Sequence, residues 1–106
     1  MSVVAVIRPL PEHRQEVIAA FEQVIARVHA EDAGCELYAL HEGDDQLVMI
    51  EKWATQEQLS SHGRSPAFAA LNARIEGKLI GGLDVQVLRP TPGGQRPPRS
   101  AVMPNA

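Results

Sequence analysis

The sequence predicts an α+β domain in which two helices lie on one face of a four-stranded antiparallel sheet. Two observations carry this prediction. Apolar patterns of strand and helix type follow one another in the order β-α-β-β-α-β, and each pattern is bounded by proline, glycine or a capping residue. This order is the ferredoxin-like pattern. The length of 106 residues fits a single domain, since domains commonly contain about 50 to 200 residues.

Apolar residues mark the first strand and the first helix. Residues 3–7 form an unbroken apolar run, which is typical of a short buried strand. Pro11 and Glu12 suit the first turn of a helix, and Gly34 is predicted to end it. The apolar positions of this helix form a single stripe: Val17, Ile18, Phe21, Val24, Ile25 and Val28.

The next segment is predicted to be a hairpin followed by a helix in two parts. Residues 36–41 and 46–53 are the predicted strands, joined by a turn. Thr55 and Gln58 have the spacing of a capping box, which opens the second helix. The Ser65-Pro66 pair interrupts this helix and restarts it, with serine as the new cap.

The end of the second helix and the last strand complete the pattern. The apolar stripe continues to Leu79, and the helix is predicted to end at Gly81-Gly82. Leu83, Val85 and Val87 then alternate with polar residues, which predicts a last strand with one buried face.

Both faces of the predicted sheet carry large apolar side chains. On the third strand, Leu47, Met49 and Trp53 point to one face while Val48 and Ile50 point to the other. Two helices can cover only one face, and a large exposed apolar patch is rare on a soluble monomer. We therefore expect a homodimer whose second subunit covers the other face about a two-fold axis.

Composition excludes several classes of protein. The hydrophobic share of 44% and the charged share of 22% are ordinary for a soluble globular domain. A net charge of −3 argues against nucleic-acid and anionic-membrane partners. The start lacks a basic region and a small-residue cleavage site, so no signal peptide is expected. The lone cysteine, Cys35, excludes an internal disulfide and fits a cytoplasmic location.

The composition changes at Arg89, where proline, glycine and arginine become frequent and few residues could be buried. We predict a domain over residues 1–88 followed by an extended tail over residues 89–106.

The chain carries no phosphate-binding loop, nucleophile elbow, zinc-protease motif or EF-hand loop. Candidates for chemistry are therefore single side chains, of which His62 is the first. It is either a partly buried histidine bonded to a neighbouring carbonyl or a proton acceptor at the mouth of an apolar pocket. The residues alone favour the first interpretation.

The aromatic side chains leave the same choice open. Trp53 is either a packing residue or a flat wall for an aromatic substrate, and Tyr38 either packs across strands or offers a hydroxyl to a substrate oxygen. The four histidines have no ligand spacing, so no metal site is predicted. Cys35 is interpreted as a packing residue.

Five segments occur in an order and spacing that resemble one known family: Val4–Arg8, Gly34–Tyr38, Glu51–Glu57, Ser61-His62 and Ser65–Phe68. The chain resembles the antibiotic biosynthesis monooxygenase family, a dimeric α/β-barrel family of the ferredoxin-like superfamily. The resemblance covers about residues 3–88, and its motifs are moderately specific as a set.

The resemblance implies a chemistry that needs no flavin, haem or metal, as in members that oxidise quinols or anthrone-type polyketides. It implies a cofactor-independent monooxygenase acting with O₂ on a small aromatic quinol or polyketide-like substrate. His62 would be the base, with Trp53 and Tyr38 as the other catalytic residues that position the ring. The substrate-binding residues that line the apolar container would be Phe21, Met49, Phe68 and Leu71.

The chain also departs from parts of the family. Polyketide oxidases carry an asparagine four residues before the strand tryptophan, where this chain has Met49. The positions that haem-degrading members require hold Ile7, His62 and Asn72, which excludes haem degradation. Two alternatives stay open: a non-catalytic dimeric protein that binds a small metabolite, and an isomerase that uses His62 as a proton shuttle.

Overall fold

A computed structural model describes residues 1–94 and 96 and confirms the predicted α+β, ferredoxin-like architecture. The sheet has the strand order β2-β3-β1-β4, and every neighbouring pair is antiparallel. A short 3₁₀ turn at Pro11–His13 precedes the first helix. The elements are β1 Ser2–Ile7, α1 Arg14–Glu31, β2 Cys35–Glu42, β3 Leu47–Trp53, α2 Gln56–Gly63, α3 Pro66–Ile75 and β4 Asp84–Leu88.

The two predicted helix caps are present. Thr55 Oγ1 accepts a hydrogen bond from the Gln58 N–H at 3.1 Å, and Ser65 Oγ accepts one from the Phe68 N–H at 3.2 Å. Each cap satisfies a backbone donor that a helix start leaves without an internal partner. The second helix is therefore divided into α2 and α3, and His62 lies in the last turn of α2.

Two predicted helix ends were wrong. The helix α3 ends at Ile75 rather than at Gly81-Gly82, because Gly77 adopts a left-handed φ of 76° that ends helices readily. Leu79 consequently leaves the helical stripe and forms an isolated β-bridge with Pro9. The helix α1 also ends before Gly34, at Glu31.

The core lies between the sheet and the helices. The helix-facing side chains of β1 and β3 are buried against α1 and α3; among them are Val3, Ala5, Ile7, Leu47, Met49 and Trp53. The predicted buried face of β4 was wrong, since Val85 and Val87 are each 50% exposed. The reason is that α1 packs against α3 and β2, so the helical layer leaves most of β4 uncovered.

The opposite face of the sheet carries an apolar patch on its two central strands. Val4 pairs with Ile50 and Val6 pairs with Val48, and all four side chains are half-buried in the single chain. None of the helices in the described part is long and apolar enough to cross a membrane. Residues 95 and 97–106 of the predicted tail lie outside the described residues.

Candidate active site

An apolar pocket of about 160 Å³ lies between the sheet and the helices. Its floor consists of side chains that lie directly opposite one another across the strands. One row runs through Val87, Val3, Glu51 and Tyr38, and the next row contains Val85, Ala5 and Met49. The helices contribute Phe21, Leu59, His62, Gly63, Phe68 and Leu71. An apolar cavity of about 150 Å³ holds benzene, so this pocket is large enough for an aromatic ring.

His62 is paired with a carboxylate. The side chain is 5% exposed, and its Nδ1 atom lies 2.9 Å from Oδ2 of Asp32, the residue that follows α1. The expectation that a buried His62 would bond to a carbonyl was therefore wrong. A carboxylate accepts the proton of Nδ1–H, which leaves the lone pair of a neutral imidazole on Nε2.

The Nε2 atom stays accessible. In the described part of the chain, every fully buried side-chain nitrogen or oxygen has a hydrogen-bond partner. The described hydrogen bonds of the His62 ring involve Nδ1 alone, so Nε2 is not fully buried. His62 lines the apolar pocket and also a second, more polar depression beside Asp32, so its imidazole borders both spaces.

Three aromatic rings surround the His62 imidazole. Its centroid lies 4.7 Å from that of Trp53, 5.2 Å from that of Tyr38 and 5.3 Å from that of Phe68. Close packing on several sides restricts the χ angles of a side chain. Together with the Asp32 hydrogen bond, these rings hold the imidazole in one orientation.

Glu51 and Trp53 form a second polar pair. Trp53 Nε1–H donates to Glu51 Oε1 at 2.9 Å, and Glu51 is 6% exposed. Burial raises the pKa of the Glu51 carboxyl, although the Trp53 hydrogen bond and the nearby His62 oppose this effect. Burial, with a smaller contribution from Glu51, also raises the pKa of the Tyr38 phenol far above its usual value, so Tyr38 keeps its proton.

Trp53 lies behind the pocket rather than in its wall. Its indole contacts His62 and Glu51, and it borders a second, more polar depression together with Asp32 and Gln58. The interpretation of Trp53 as a flat wall for a substrate does not agree with this position. Trp53 reaches the pocket only through Glu51 and His62, which both line it.

Most of the residues predicted from the sequence lie together at the pocket. Tyr38 and His62 line it, as do the four predicted container residues Phe21, Met49, Phe68 and Leu71. Sequence reasoning missed Asp32 and Glu51. Glu51 had a visible signal, since it alternates with the core residues Met49 and Trp53 on β3. Asp32 had none, because its partner is 30 residues away.

Cys35, the other side chain considered for chemistry, does not line the pocket. Cys35 is partly buried at the start of β2, and burial raises the pKa of its thiol, which disfavours the reactive thiolate. No group of three or more histidine, cysteine, aspartate or glutamate side chains forms a metal-binding arrangement within the described residues.

The family follows from comparison of the whole chain with known proteins. The sequence model of the family described as "Antibiotic biosynthesis monooxygenase" matches residues 1–74. The chain belongs to this family. It is also 28% identical over 103 residues to "Probable quinol monooxygenase YgiN" of Escherichia coli K12, covering 85% of this chain and 97% of that protein. The protein of the same name from Shigella flexneri gives the same figures.

Solved structures agree with this membership. Rv0793 from Mycobacterium tuberculosis superposes with a TM-score of 0.81 at 26% identity, covering 89% of this chain and 97% of that one. A conserved protein from Methanosarcina mazei Go1 gives a TM-score of 0.79 at 24% identity, over 85% and 91% of the two chains. At that identity, the second likeness shows the fold alone.

Proposed function

We propose that the protein is a monooxygenase that oxidises a small aromatic quinol-like or polyketide-like substrate with O₂, without flavin, haem or metal. Family membership and the relative named as a quinol monooxygenase support this class of reaction. The observation that carries the proposal is the position of His62, which is paired with Asp32 and lines an apolar pocket large enough for an aromatic ring.

In the first step, Nε2 of His62 removes a proton from a phenolic hydroxyl of the substrate. The Asp32 carboxylate holds the required tautomer and stabilises the imidazolium that forms. The resulting phenolate is rich in electrons and reacts with O₂ directly. Catalysis by a positioned base of this kind contributes about 10² to 10⁴ in rate.

The reaction balances with the substrate as the only reductant. One oxygen atom enters the ring of a quinol in place of hydrogen, and the ring loses two hydrogen atoms to become a hydroxyquinone. The second oxygen atom leaves as water with those two hydrogens. The apolar lining of the pocket supports this chemistry because it limits the access of water to the reactive anion.

Tyr38 and Trp53 have different roles in this proposal. The neutral Tyr38 hydroxyl, at the pocket floor, donates a hydrogen bond to an oxygen of the ring. Trp53 is a positioning residue, since it packs on the His62 imidazole and donates to Glu51. Phe21, Met49, Phe68 and Leu71 contact the apolar part of the substrate.

The proposal includes a homodimer in which the outer sheet faces of two copies pack together. The half-buried patch of Val4, Val6, Val48 and Ile50 supports this arrangement.

The proposal also includes the division into a domain over residues 1–88 and a tail over residues 89–106. A cytoplasmic location is supported by the single cysteine of the sequence.

Oxygen uptake tests the proposed function. Hydroquinone, methylhydroquinone and 1,4-dihydroxynaphthalene are incubated with the protein under isotopically heavy O₂, and both O₂ consumption and product mass are followed. We expect uptake above the buffer rate and one heavy oxygen atom in the product. The variant His62→Ala should lower the rate at least about 10²-fold, whereas His29→Ala, on an exposed side chain of α1, should leave it unchanged.

Three results would contradict this assignment. Uptake at the buffer rate with every quinol would argue against an oxygenase, and an undiminished rate in His62→Ala would remove the proposed base. Solvent deuterium in a recovered substrate, with no oxygen consumed, would instead indicate an isomerase.

A further inference from the structure

Glu51 contributes a carboxyl group to the pocket floor, whose other polar group is the Tyr38 hydroxyl. Across the sheet it lies between Val3 on β1 and Tyr38 on β2. An ionised carboxylate is costly to bury among such neighbours unless charged donors surround it. The side-chain hydrogen bond that the described residues provide to Glu51 comes from the neutral indole of Trp53.

The indole favours one of the two Glu51 oxygens as the site of a proton. Because Nε1–H is only a donor, Oε1 must act as an acceptor. The carbonyl oxygen of a carboxylic acid is the stronger acceptor, so the hydrogen bond from Trp53 favours a proton on Oε2. Within residues 1–94 and 96 no fully buried side-chain oxygen lacks a partner, and no hydrogen bond to Oε2 is present there. The Oε2 atom thus keeps contact with open space, and Glu51 lines the pocket.

The titratable groups around Glu51 do not favour its ionised form strongly. Tyr38 and Cys35 on β2 interact with it, and the raised pKa of each group keeps it neutral at neutral pH. His62 on α2 favours the ionised form of Glu51, but this effect is smaller than that of burial. Val3 on β1 and Phe21 on α1 are apolar. Burial correspondingly raises the pKa of Glu51.

We propose that Glu51 binds substrate in its uncharged form, with Oε2–H donating a hydrogen bond to an oxygen of the ring compound, and thereby selects substrates that carry an acceptor oxygen. The inference rests on the proposed function and names a specificity-determining residue of the same pocket. A neutral carboxylic acid in an apolar site is a strong donor to an oxygen on which negative charge develops.

The expected selectivity follows from unpaired polar groups. An apolar ring that lacks the oxygen would displace water from Oε2–H without replacing its hydrogen bond, which is unfavourable. A ring with a carbonyl or phenolate oxygen would satisfy it. Glu51 would then discriminate between ligands by the presence of an acceptor oxygen opposite Oε2, and not by the size of the ring.

Binding of an isosteric ligand pair tests the inference without turnover. Acetophenone and α-methylstyrene have nearly the same shape, but a CH₂ group replaces the carbonyl oxygen in the second. Neither needs O₂ to bind. Dissociation constants are measured in oxygen-free buffer by ligand-detected NMR titration, and their ratio is compared among the wild-type protein, Glu51→Gln and Glu51→Leu.

We expect the wild-type protein to bind acetophenone about tenfold more tightly than α-methylstyrene at acidic to neutral pH. This preference should decrease as pH rises through the raised pKa of Glu51, because the ionised form has no proton to donate. Glu51→Gln should keep the preference within about threefold and make it independent of pH, since an amide N–H donates while its oxygen accepts from Trp53. Glu51→Leu should lower the ratio to the part that the Tyr38 hydroxyl contributes and remove its pH dependence.

The affinity for α-methylstyrene shows whether the pocket of each variant is intact. The ratio of the two dissociation constants therefore reports the hydrogen bond to the carbonyl oxygen separately from any loss of folding. A wild-type ratio near one would overturn the inference, as would a preference that Glu51→Leu leaves unchanged. Where Glu51→Leu does not fold, Glu51→Gln decides: the same pH dependence as the wild-type protein would overturn the inference. Oxygen uptake that requires His62 but is indifferent to Glu51 would leave the proposed function standing and remove only this inference.

Discussion

Asp32 and His62 are joined by a hydrogen bond of 2.9 Å between Oδ2 and Nδ1, although they lie 30 positions apart in the chain. Asp32 immediately follows α1, and His62 lies in the last turn of α2. The two helix ends meet beside the aromatic cluster of Tyr38, Trp53 and Phe68. An imidazole held in this way therefore exists only in the folded chain.

Asp32→Asn should lower the turnover rate about 10- to 10²-fold with little change in KM. An amide fills the same space but does not neutralise the imidazolium that forms during proton transfer. Steady-state oxygen uptake separates the two constants, with Asp45→Asn in the exposed hairpin turn as the matched control. A change confined to KM, or equal losses in both variants, would argue against a role for Asp32 in stabilising the base.

Glu51→Gln should alter how stability depends on pH. The folded-state pKa of Glu51 is raised above its ordinary value of 4.5, so the folded chain holds this proton more tightly than the unfolded chain does. The stabilising contribution is fully present below the unfolded-state value and is lost as pH rises through the folded-state pKa.

The free energy of unfolding of Glu51→Gln, relative to the wild-type protein, should therefore rise across this interval and then level off. Urea unfolding at a series of pH values measures the difference, and Glu36→Gln, on an exposed side chain, is the control. Parallel curves for the wild-type protein and Glu51→Gln would show that Glu51 is not perturbed.

Trp53→Phe should destabilise the fold through its partner Glu51. The substitution keeps an aromatic ring beside His62 but removes the donor to Glu51 Oε1. We expect a loss of about 1–3 kcal/mol, the usual cost of a buried polar atom that loses its partner. In a Glu51→Leu background the loss should be smaller, because no carboxyl oxygen is left without a donor. Equal losses in both backgrounds would show that the two side chains are not coupled.

Gly63→Ala and Gly77→Ala should change stability in opposite directions. An added Cβ atom meets nothing within 4 Å at either position. Gly63 lies in α2, where alanine should stabilise by about 0.4–1 kcal/mol. Gly77 has a φ of 76°, which costs an L-residue about 1–2 kcal/mol. Thermal unfolding of both variants measures the effect, and a shift of the same sign in both would contradict it.

Ile50→Lys should prevent the proposed dimer from forming. Ile50 lies beside Val4 in the patch on the outer face, and an ammonium group there would be buried without a partner in a two-sheet interface. Sedimentation velocity should give the mass of two subunits for the wild-type protein and of one for the variant. Ala26→Lys, on an exposed position of α1, should stay dimeric; a single-subunit wild-type protein would refute the dimer.

Local patterns were sufficient for much of the fold. Thr55 and Ser65 cap their helices as predicted, because a cap depends on residues only three positions apart. Strand burial was less predictable: Val85 and Val87 alternate like core residues, yet they are half exposed. Alternation specifies which side chains share a face, while the packing of distant helices decides whether that face is covered.

The same distinction applies to the pocket. The resemblance to the family indicated Phe21, Met49, Phe68 and Leu71 as lining residues, and all four line the pocket. The sequence did not indicate that Trp53 lies behind His62 and Glu51. The direction of an indole ring depends on the acceptor to which its N–H donates.

The amino-acid sequence by itself determined the order of strands and helices, because this order follows from short-range patterns, and its resemblance to a family indicated the side chains that line the pocket. Tertiary structure decided the partner of His62, the proposed base: Asp32 lies 30 positions away and reaches it only once the helices pack. Trp53 and Glu51 lie two positions apart on β3, and the packing of the helices decides only that their hydrogen bond is buried. Burial at that stage makes the loss of a partner costly, because water replaces a missing hydrogen bond poorly at side chains as little exposed as those of His62 and Glu51.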